Sequence, residues 1–302
     1  MLETPILFII FNRPDLTKQV FEAIKRQKPK NLYIVSDGPR VNNAEDLEKI
    51  VACRNLVLNN IDWECNVKTL FREKNLGSGL GIVEALNWFF DNEDYGIILE
   101  DDCLANDTFF SFCENLLIRY ADKNEIMHIS GNSYLLNMFK PRESYFFSKV
   151  PISWGWATWK RAWLMMNYKM DDFEERFTKL PPIGKIWYND WKAVLDDDVT
   201  DAWDFQWYFS ILTNNGICIH PSVDLVENIG FSKNATHTFL MPWWYQYIEF
   251  SNIQTLIHPV NIEINTKADK FISKQLKDIP LNLYERIKLR MRNLDKFFLS
   301  EL

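Results

Sequence analysis

Three consecutive carboxylates, Glu100-Asp101-Asp102, follow directly on the apolar run Ile97-Ile98-Leu99. A run this short, and rich in β-branched residues, predicts a strand buried on both faces. Three adjacent acids at its exit repel one another, and beside a dry core they are costly unless a cation sits among them. Oxygen-only ligands at an open mouth suit Mg²⁺ or Mn²⁺, with a substrate diphosphate completing the shell. The competing reading is a solvated loop that leads into a helix capped near Asp107. Because the acids follow a hydrophobic β-type run, the metal reading is preferred.

The elements that position these acids can be read from the start of the chain. Pro5 to Phe11 predicts a strand, and Pro14 with Asp15 opens a helix carrying Leu16, Val20, Phe21 and Ile24 at helical spacing. Leu32 to Val35 predicts a second strand, ending in the turn Ser36-Asp37-Gly38-Pro39. Ala44 to Asn59 predicts a helix with an apolar stripe of Leu47, Ile50, Val51 and Leu58, and Val67 to Phe71 a third strand. Gly77-Ser78-Gly79-Leu80-Gly81 then opens a helix running through Phe90. Strand and helix alternate, so the fold class is α/β with a doubly wound, mostly parallel sheet. Ligands in such sheets bind beyond the carboxyl ends of the strands. Arg13, Asp37, Asn75 and Asp102 all stand just past predicted strand ends, and so converge on one rim. The glycines do not form the G-x-G-x-x-G of a dinucleotide fold, which disfavours a nicotinamide enzyme. They mark either a helix N-terminus approached by a phosphate or sugar, or a turn that packs the helix on the sheet.

Composition bounds the rest. The 302 residues, 47% hydrophobic and 25% charged, form one main domain over 1–258. It divides into a nucleotide-binding half, 1–130, and an acceptor and catalytic half, 131–258, followed by a helical appendage, 259–302. A net charge of −7 argues against a general nucleic-acid binder. Five cysteines without a C-x-x-C pair fit reduced thiols in a cytoplasmic setting. Trp and Tyr cluster from Trp154 to Tyr247, which predicts an aromatic-walled surface or cleft. In the appendage Leu283, Ile287, Met291, Leu294 and Phe298 share one helical face among Arg286, Lys288, Arg290 and Arg292. Such a helix over 283–298 packs on its own domain, pairs with a second copy, or lies on the anionic inner face of the plasma membrane.

The order of the motifs is similar to that of a known family. Phe11-Asn12-Arg13-Pro14, Val35-Ser36-Asp37-Gly38, Asn75-Leu76-Gly77 and Leu99-Glu100-Asp101-Asp102 resemble a GT-A fold nucleotide-sugar glycosyltransferase. The Glu-Asp-Asp form resembles N-acetylglucosaminyltransferase I. Trp154-Gly155-Trp156-Ala157-Thr158-Trp159, Trp203-Asp204-x-Gln206-Trp207 and Ala235-Thr236-His237-Thr238 resemble bacterial glycosyltransferase-like proteins of polysaccharide loci. The likeness spans residues 5 to 240. It implies a Rossmann-like mixed sheet and a metal-dependent, inverting transfer from a nucleotide-diphosphate sugar, of the UDP type, to a glycan or lipid-linked acceptor.

The resemblance also implies roles. Asp102 would ligate Mn²⁺ or Mg²⁺, with His237 as a further ligand. Asp101 would lie near the ribose or a metal-bound water, and Glu100 near the donor sugar. Phe11, Arg13, Asp37, Asn75 and Gly77 match the nucleotide side. Trp154 and Trp156 would wall a sugar, with Gly155 letting the backbone approach it. Asp204, near a helix N-terminus that keeps a carboxylate ionised, is the candidate base. Asp201 competes with it, and could equally be that helix's N-cap. Two rivals stand beside this reading: a sugar-phosphate nucleotidyltransferase, and a glycan-binding protein that keeps the fold without the chemistry. The first would carry a glycine- and basic-rich loop after its first strand, where this chain has Asn12-Arg13-Pro14-Asp15.

Overall fold

The structure is a computed structural model describing residues 1–41, 43–139, 141–196, 201–231, 241–277 and 279–292, with residue 290 as backbone only. The chain runs β1 (Ile6–Ile10), α1 (Pro14–Gln27), β2 (Asn31–Ser36), α2 (Ala44–Asn59), β3 (Asn66–Phe71), α3 (Gly77–Asn92) and β4 (Tyr95–Glu100). It continues through β5 (Cys103–Ala105), α4 (Asp107–Arg119), β6 (Ile126–Ser130), β7 (Tyr145–Ser148), β8 (Trp156–Trp159) and α5 (Lys160–Trp163). The later elements are α6 (Phe173–Thr178), α7 (Pro182–Lys185), α8 (Tyr188–Leu195), α9 (Asp204–Thr213), β9 (Ile217–Pro221), β10 (Val226–Asn228), α10 (Thr266–Leu276) and α11 (Leu283–Arg292).

Eight strands form one mixed sheet in the order β3-β2-β1-β4-β8-β6-β9-β7. β1 pairs in parallel with β2 and β4, β2 with β3, and β6 with β9. β8 lies antiparallel between β4 and β6, and β7 antiparallel on β9. The carboxyl ends of β1, β2, β3, β4, β6 and β9 therefore share one edge. β5 and β10 form a separate two-stranded antiparallel ribbon. This is the doubly wound α/β arrangement expected from the sequence, with a mixed rather than purely parallel sheet.

Local signals explain most boundaries. α1 begins at Pro14, carries Asp15 in its first turn and Lys25 and Arg26 in its last, which matches the helix dipole. α4 is capped by Asn106, whose side chain accepts from Phe109 N at 3.1 Å, so Asp107 is the first helical residue rather than the cap. α2 has the expected ends but not the expected inner face. Asp46, Ile50, Cys53 and Val57 are buried, while Leu47, Val51 and Leu58 are exposed. Helical spacing fits both rows. Partners decide: Arg40 Nε and Asn12 Nδ2 each lie 2.7 Å from the Asp46 carboxylate. The Arg40 hydrogen bond leads in holding that carboxyl down at about 2, so an acid can take the inner row.

The C-terminal segment joins the main core. Ile264 bridges Phe147, and Ala268, Phe271 and Ile272 of α10 are buried with Tyr208, Phe209 and Leu212 of α9. Asp269 accepts from Ser148 Oγ at 2.6 Å, and burial pushes its carboxyl up to about 6. In α11, Leu289 is buried, whereas Leu283, Ile287 and Met291 are 75%, 51% and 68% exposed. Leu294 and Phe298 of the expected stripe lie outside the described residues.

Candidate active site

A cleft of about 350 Å³ opens on the edge formed by the carboxyl ends of β1, β2 and β4. Phe11, Arg13, Asp37, Asn75, Gly77, Glu100, Asp101, Asp102, Trp154, Asp201 and Asp204 all line it. The structure thus brings together every sequence-predicted site residue except Gly155, Trp156 and His237. His237 lies outside the described residues.

The acidic run is held, not solvated. Asp101 and Asp102 are 2% and 9% exposed. Asp101 accepts from Phe11 N at 3.2 Å and pairs with the Arg13 guanidinium, whose Nη1 also lies 3.0 Å from Asp102 Oδ2. One cation therefore serves two carboxylates. Burial raises the Asp101 carboxyl above its usual range, against the pull of Arg13. Burial, then the charges of Asp102 and Asp101, push Glu100 up to about 8. Gly230 closes over this group: a Cβ there would sit 2.4 Å from Asp102 Oδ2.

The other rim residues are tied to backbone. Asp37 Oδ2 accepts from Leu76 N at 2.8 Å and Gly77 N at 3.1 Å, while Oδ1 accepts from Gly38 N at 3.0 Å. Burial raises this carboxyl, opposed by those N–H groups and by Arg72. Asn75 Nδ2 donates to Gly38 O at 2.9 Å. These bonds fasten the turn after β2 to the start of α3, and leave Asp37 Oδ1 with a single backbone donor.

Asp201 is a cap, but of another helix. Its Oδ1 accepts from Gly79 N at 2.6 Å and its Oδ2 from Ser78 Oγ at 3.0 Å, so it plugs the N-terminus of α3. Gly77, at φ +79°, leaves room for it; a Cβ there would fall 2.3 Å from Asp201 Oδ1. Of the two readings of the glycine turn, a ligand's approach or packing, a carboxylate of this chain takes the ligand's place. Asp204 instead is the first residue of α9, exposed toward the cleft, with the helix dipole behind it.

Two residues expected on the sugar are structural. Trp156 is 1% exposed, stacked between the His128 ring at 5.0 Å and the Trp203 ring at 5.5 Å. Trp163 at 6.4 Å and Trp207 at 6.1 Å close in as well, so the ring has no free face. Gly155 adopts φ +65°, and a Cβ would lie 2.8 Å from Val226 Cγ2, so packing against β10 requires this glycine. Trp154 keeps its place on the cleft wall, edge-on to Tyr134 and Phe231, each at 5.6 Å.

Arg40 and Arg72 also line the cleft and were not singled out in the sequence. Arg72 is the first residue beyond β3, so the strand-exit rule that found Arg13 and Asp37 applies to it as well. Arg40 lies 5.4 Å over the Phe11 ring. Six carboxylates (Asp37, Glu100, Asp101, Asp102, Asp201, Asp204) thus face three guanidiniums (Arg13, Arg40, Arg72). Among the described residues no three His, Cys, Asp or Glu side chains form a metal cage. The oxygen-only, acid-rich donor set fits a hard divalent ion that takes one or two carboxylates and completes its shell from a ligand phosphate.

No family model matches the chain, and no curated protein matches it. Among solved structures, a UDP-glucose pyrophosphorylase complexed with UDP-glucose matches at 10% identity. The match covers 73% of this chain and 90% of that one, with a TM-score of 0.35. All five cysteines are free thiols, and no helix among the described residues is long and apolar enough to cross a membrane.

Proposed function

We propose that the protein is an inverting glycosyltransferase that moves a sugar from a nucleotide-diphosphate donor, of the UDP type, to a glycan or lipid-linked saccharide. One observation carries this reading. A single cleft at the strand exits carries the Arg13-tied acids Asp101 and Asp102 together with Asp204, a carboxylate set at a helix N-terminus.

In this reading Asp204 takes the proton of the acceptor hydroxyl as that oxygen attacks the anomeric carbon, and the helix dipole keeps the base ionised until then. Trp154 walls the sugar, while Phe11, Arg40 and the remaining lone pairs of Asp37 Oδ1 face the nucleotide. Arg13 holds Asp101 and Asp102 in register. Asp102 is the residue that would hold Mn²⁺ or Mg²⁺, which when bound supplies positive charge for a departing diphosphate. The acid excess of the cleft supports that assignment, since an anionic donor alone would be repelled by it. In α11 the exposed Leu283, Ile287 and Met291, with Arg286 and Lys288 among them, support contact with an anionic lipid surface.

The deciding experiment measures thermal midpoints with UDP-sugars, with and without Mn²⁺, and then UDP release with saccharide acceptors. The expected result is a metal-dependent rise in midpoint followed by UDP release. No shift with any nucleotide sugar would remove the proposal. Pyrophosphate formed from UTP and a sugar 1-phosphate would assign the nucleotidyltransferase instead.

A further inference from the structure

The same edge of the sheet holds a second cavity, of about 270 Å³, beyond the carboxyl ends of β6 and β9. Ser133, Asn137, Ser222, Asp224 and Glu249 give it polar walls, and Leu136 and Phe139 an apolar side. Its size is close to the lower end of small-ligand pockets, roughly 300 Å³.

Two facts say that this space is built. Asp224 Oδ1 accepts from Ser133 N at 2.7 Å and Tyr134 N at 2.9 Å. Those bonds hold a loop in which Tyr134, Leu136 and Asn137 all have left-handed φ, at 50°, 47° and 60°. Independently, Ser133 is 1% exposed and its Oγ has no hydrogen-bond partner among the described residues. Leaving a buried hydroxyl unsatisfied is costly, so a ligand group that bonds to it recovers the loss.

The lining also sorts the ligand. None of the described lining residues is a lysine or arginine, while Asp224 and Glu249 are acidic. Those two carboxylates disfavour a phosphate or a carboxylate as the ligand. The walls offer hydroxyl and carboxylate acceptors, an amide, and an aromatic ring. A neutral molecule with several hydroxyl donors and one less polar face, a sugar ring, satisfies all of these.

The two cavities share structure. Trp154 lines the first, and its ring stands 5.6 Å from that of Tyr134, the residue after Ser133 in the second. Asn228 lines the first and Asp224 the second, on one short segment. From α11, Arg292 donates to Asn137 O at 2.6 Å and Lys288 lies 5.3 Å over Phe139, bracing the second cavity's loop from behind.

We propose that the second cavity is a saccharide subsite that grips a sugar unit of the acceptor away from the reacting hydroxyl. The acceptor is then an oligosaccharide rather than a single sugar. Its assignment to the acceptor rests on the transferase reading; binding of a sugar there does not.

The test is saturation-transfer NMR on the full chain with methyl β-glucoside, methyl β-galactoside, cellobiose, lactose and chitobiose as probes. Each is titrated with and without UDP and Mn²⁺. The expected result is a signal from at least one probe that survives UDP and Mn²⁺. Its apparent Kd should rise about tenfold in Ser251→Trp, which fills the cavity from its exposed lip, and in Glu249→Arg. Overlay of the melting curves shows that each variant is folded. No signal from any probe, a signal that UDP abolishes, or one unchanged in both variants overturns the subsite. UDP-sugar stabilisation read on the same samples fails or holds separately, so loss of the transferase reading is distinguished from loss of the subsite.

Discussion

Arg13 binds Asp101 and Asp102 at once, with Nη1 3.0 Å from Asp102 Oδ2, on a strand exit where both acids are almost wholly buried. The pair Arg13–Asp101 is the lock between β1 and β4, because Phe11 N, just past β1, donates to the same carboxylate. Removing the guanidinium leaves two buried acids with one backbone donor between them. Arg13→Ala is expected to lower stability by about 3–5 kcal/mol, as breaking a buried pair does. Arg13→Lys recovers only part, since an ammonium cannot fork across two carboxylates. Urea midpoints of the three proteins check both statements.

Asp204 and Asp201 separate by readout. Asp204→Asn is expected to lower kcat about 10²–10⁴-fold while the UDP-sugar midpoint shift stays nearly intact, because a base acts in the transition state. Asp201→Ala removes the cap of α3 and costs about 0.5–2 kcal/mol of stability. Its turnover per folded molecule should fall far less. The reverse pattern would exchange their roles.

His128 sets an acid limit. Its Nε2–H donates to Ile152 O at 3.0 Å, and its Nδ1 accepts from Trp207 Nε1 at 3.2 Å, which fixes the neutral ring. Burial drives its pKa down to about 3. The unfolded chain, with an ordinary histidine near 6.5, binds the proton first between those values. Stability from His128 is therefore full above about pH 6.5 and falls as pH drops toward 3, by several kcal/mol in order of magnitude. His128→Gln keeps one donor, is less stable at pH 7, and should show a flatter decline from pH 6.5 to 4. Urea midpoints across that range measure it.

The exposed stripe of α11 predicts lipid contact. Leu283→Ser with Ile287→Ser should reduce co-sedimentation with phosphatidylglycerol vesicles, and leave the melting midpoint unchanged because both residues are exposed. Unchanged sedimentation would leave the helix as packing alone.

The strand-exit rule carried most of what the sequence could tell. Arg13, Asp37, Asn75 and Asp102 lie on one rim because parallel strands end together, and Arg72 follows from the same logic. Pairings across long separations were not legible. Asp201 looked like a neighbour's cap, yet it reaches Ser78 and Gly79, more than a hundred residues earlier in the chain. Trp156 looked like a sugar wall because its motif is aromatic. Only the packing of His128, Trp163, Trp203 and Trp207 around its ring shows that it has no open side. On α2, periodicity found a helix and Ile50 on its inner face, but took Leu47, Val51 and Leu58 from the outer row, since nothing local announces that Arg40 and Asn12 will neutralise Asp46.

The insertion of β8 between β4 and β6 ties the two halves of the chain together. A cut after residue 130 would carry off β6 but leave β8, the strand that joins β6 to β4, on the other fragment. The front piece keeps β3-β2-β1-β4 but strands β6, and the back piece keeps β9-β7 but strands β8, so each would expose raw strand edges and aggregate when expressed alone. Mixed together, the pieces should reassemble only by threading β8 home. Grafting the front half onto a foreign back half therefore demands a donor that brings its own antiparallel middle strand.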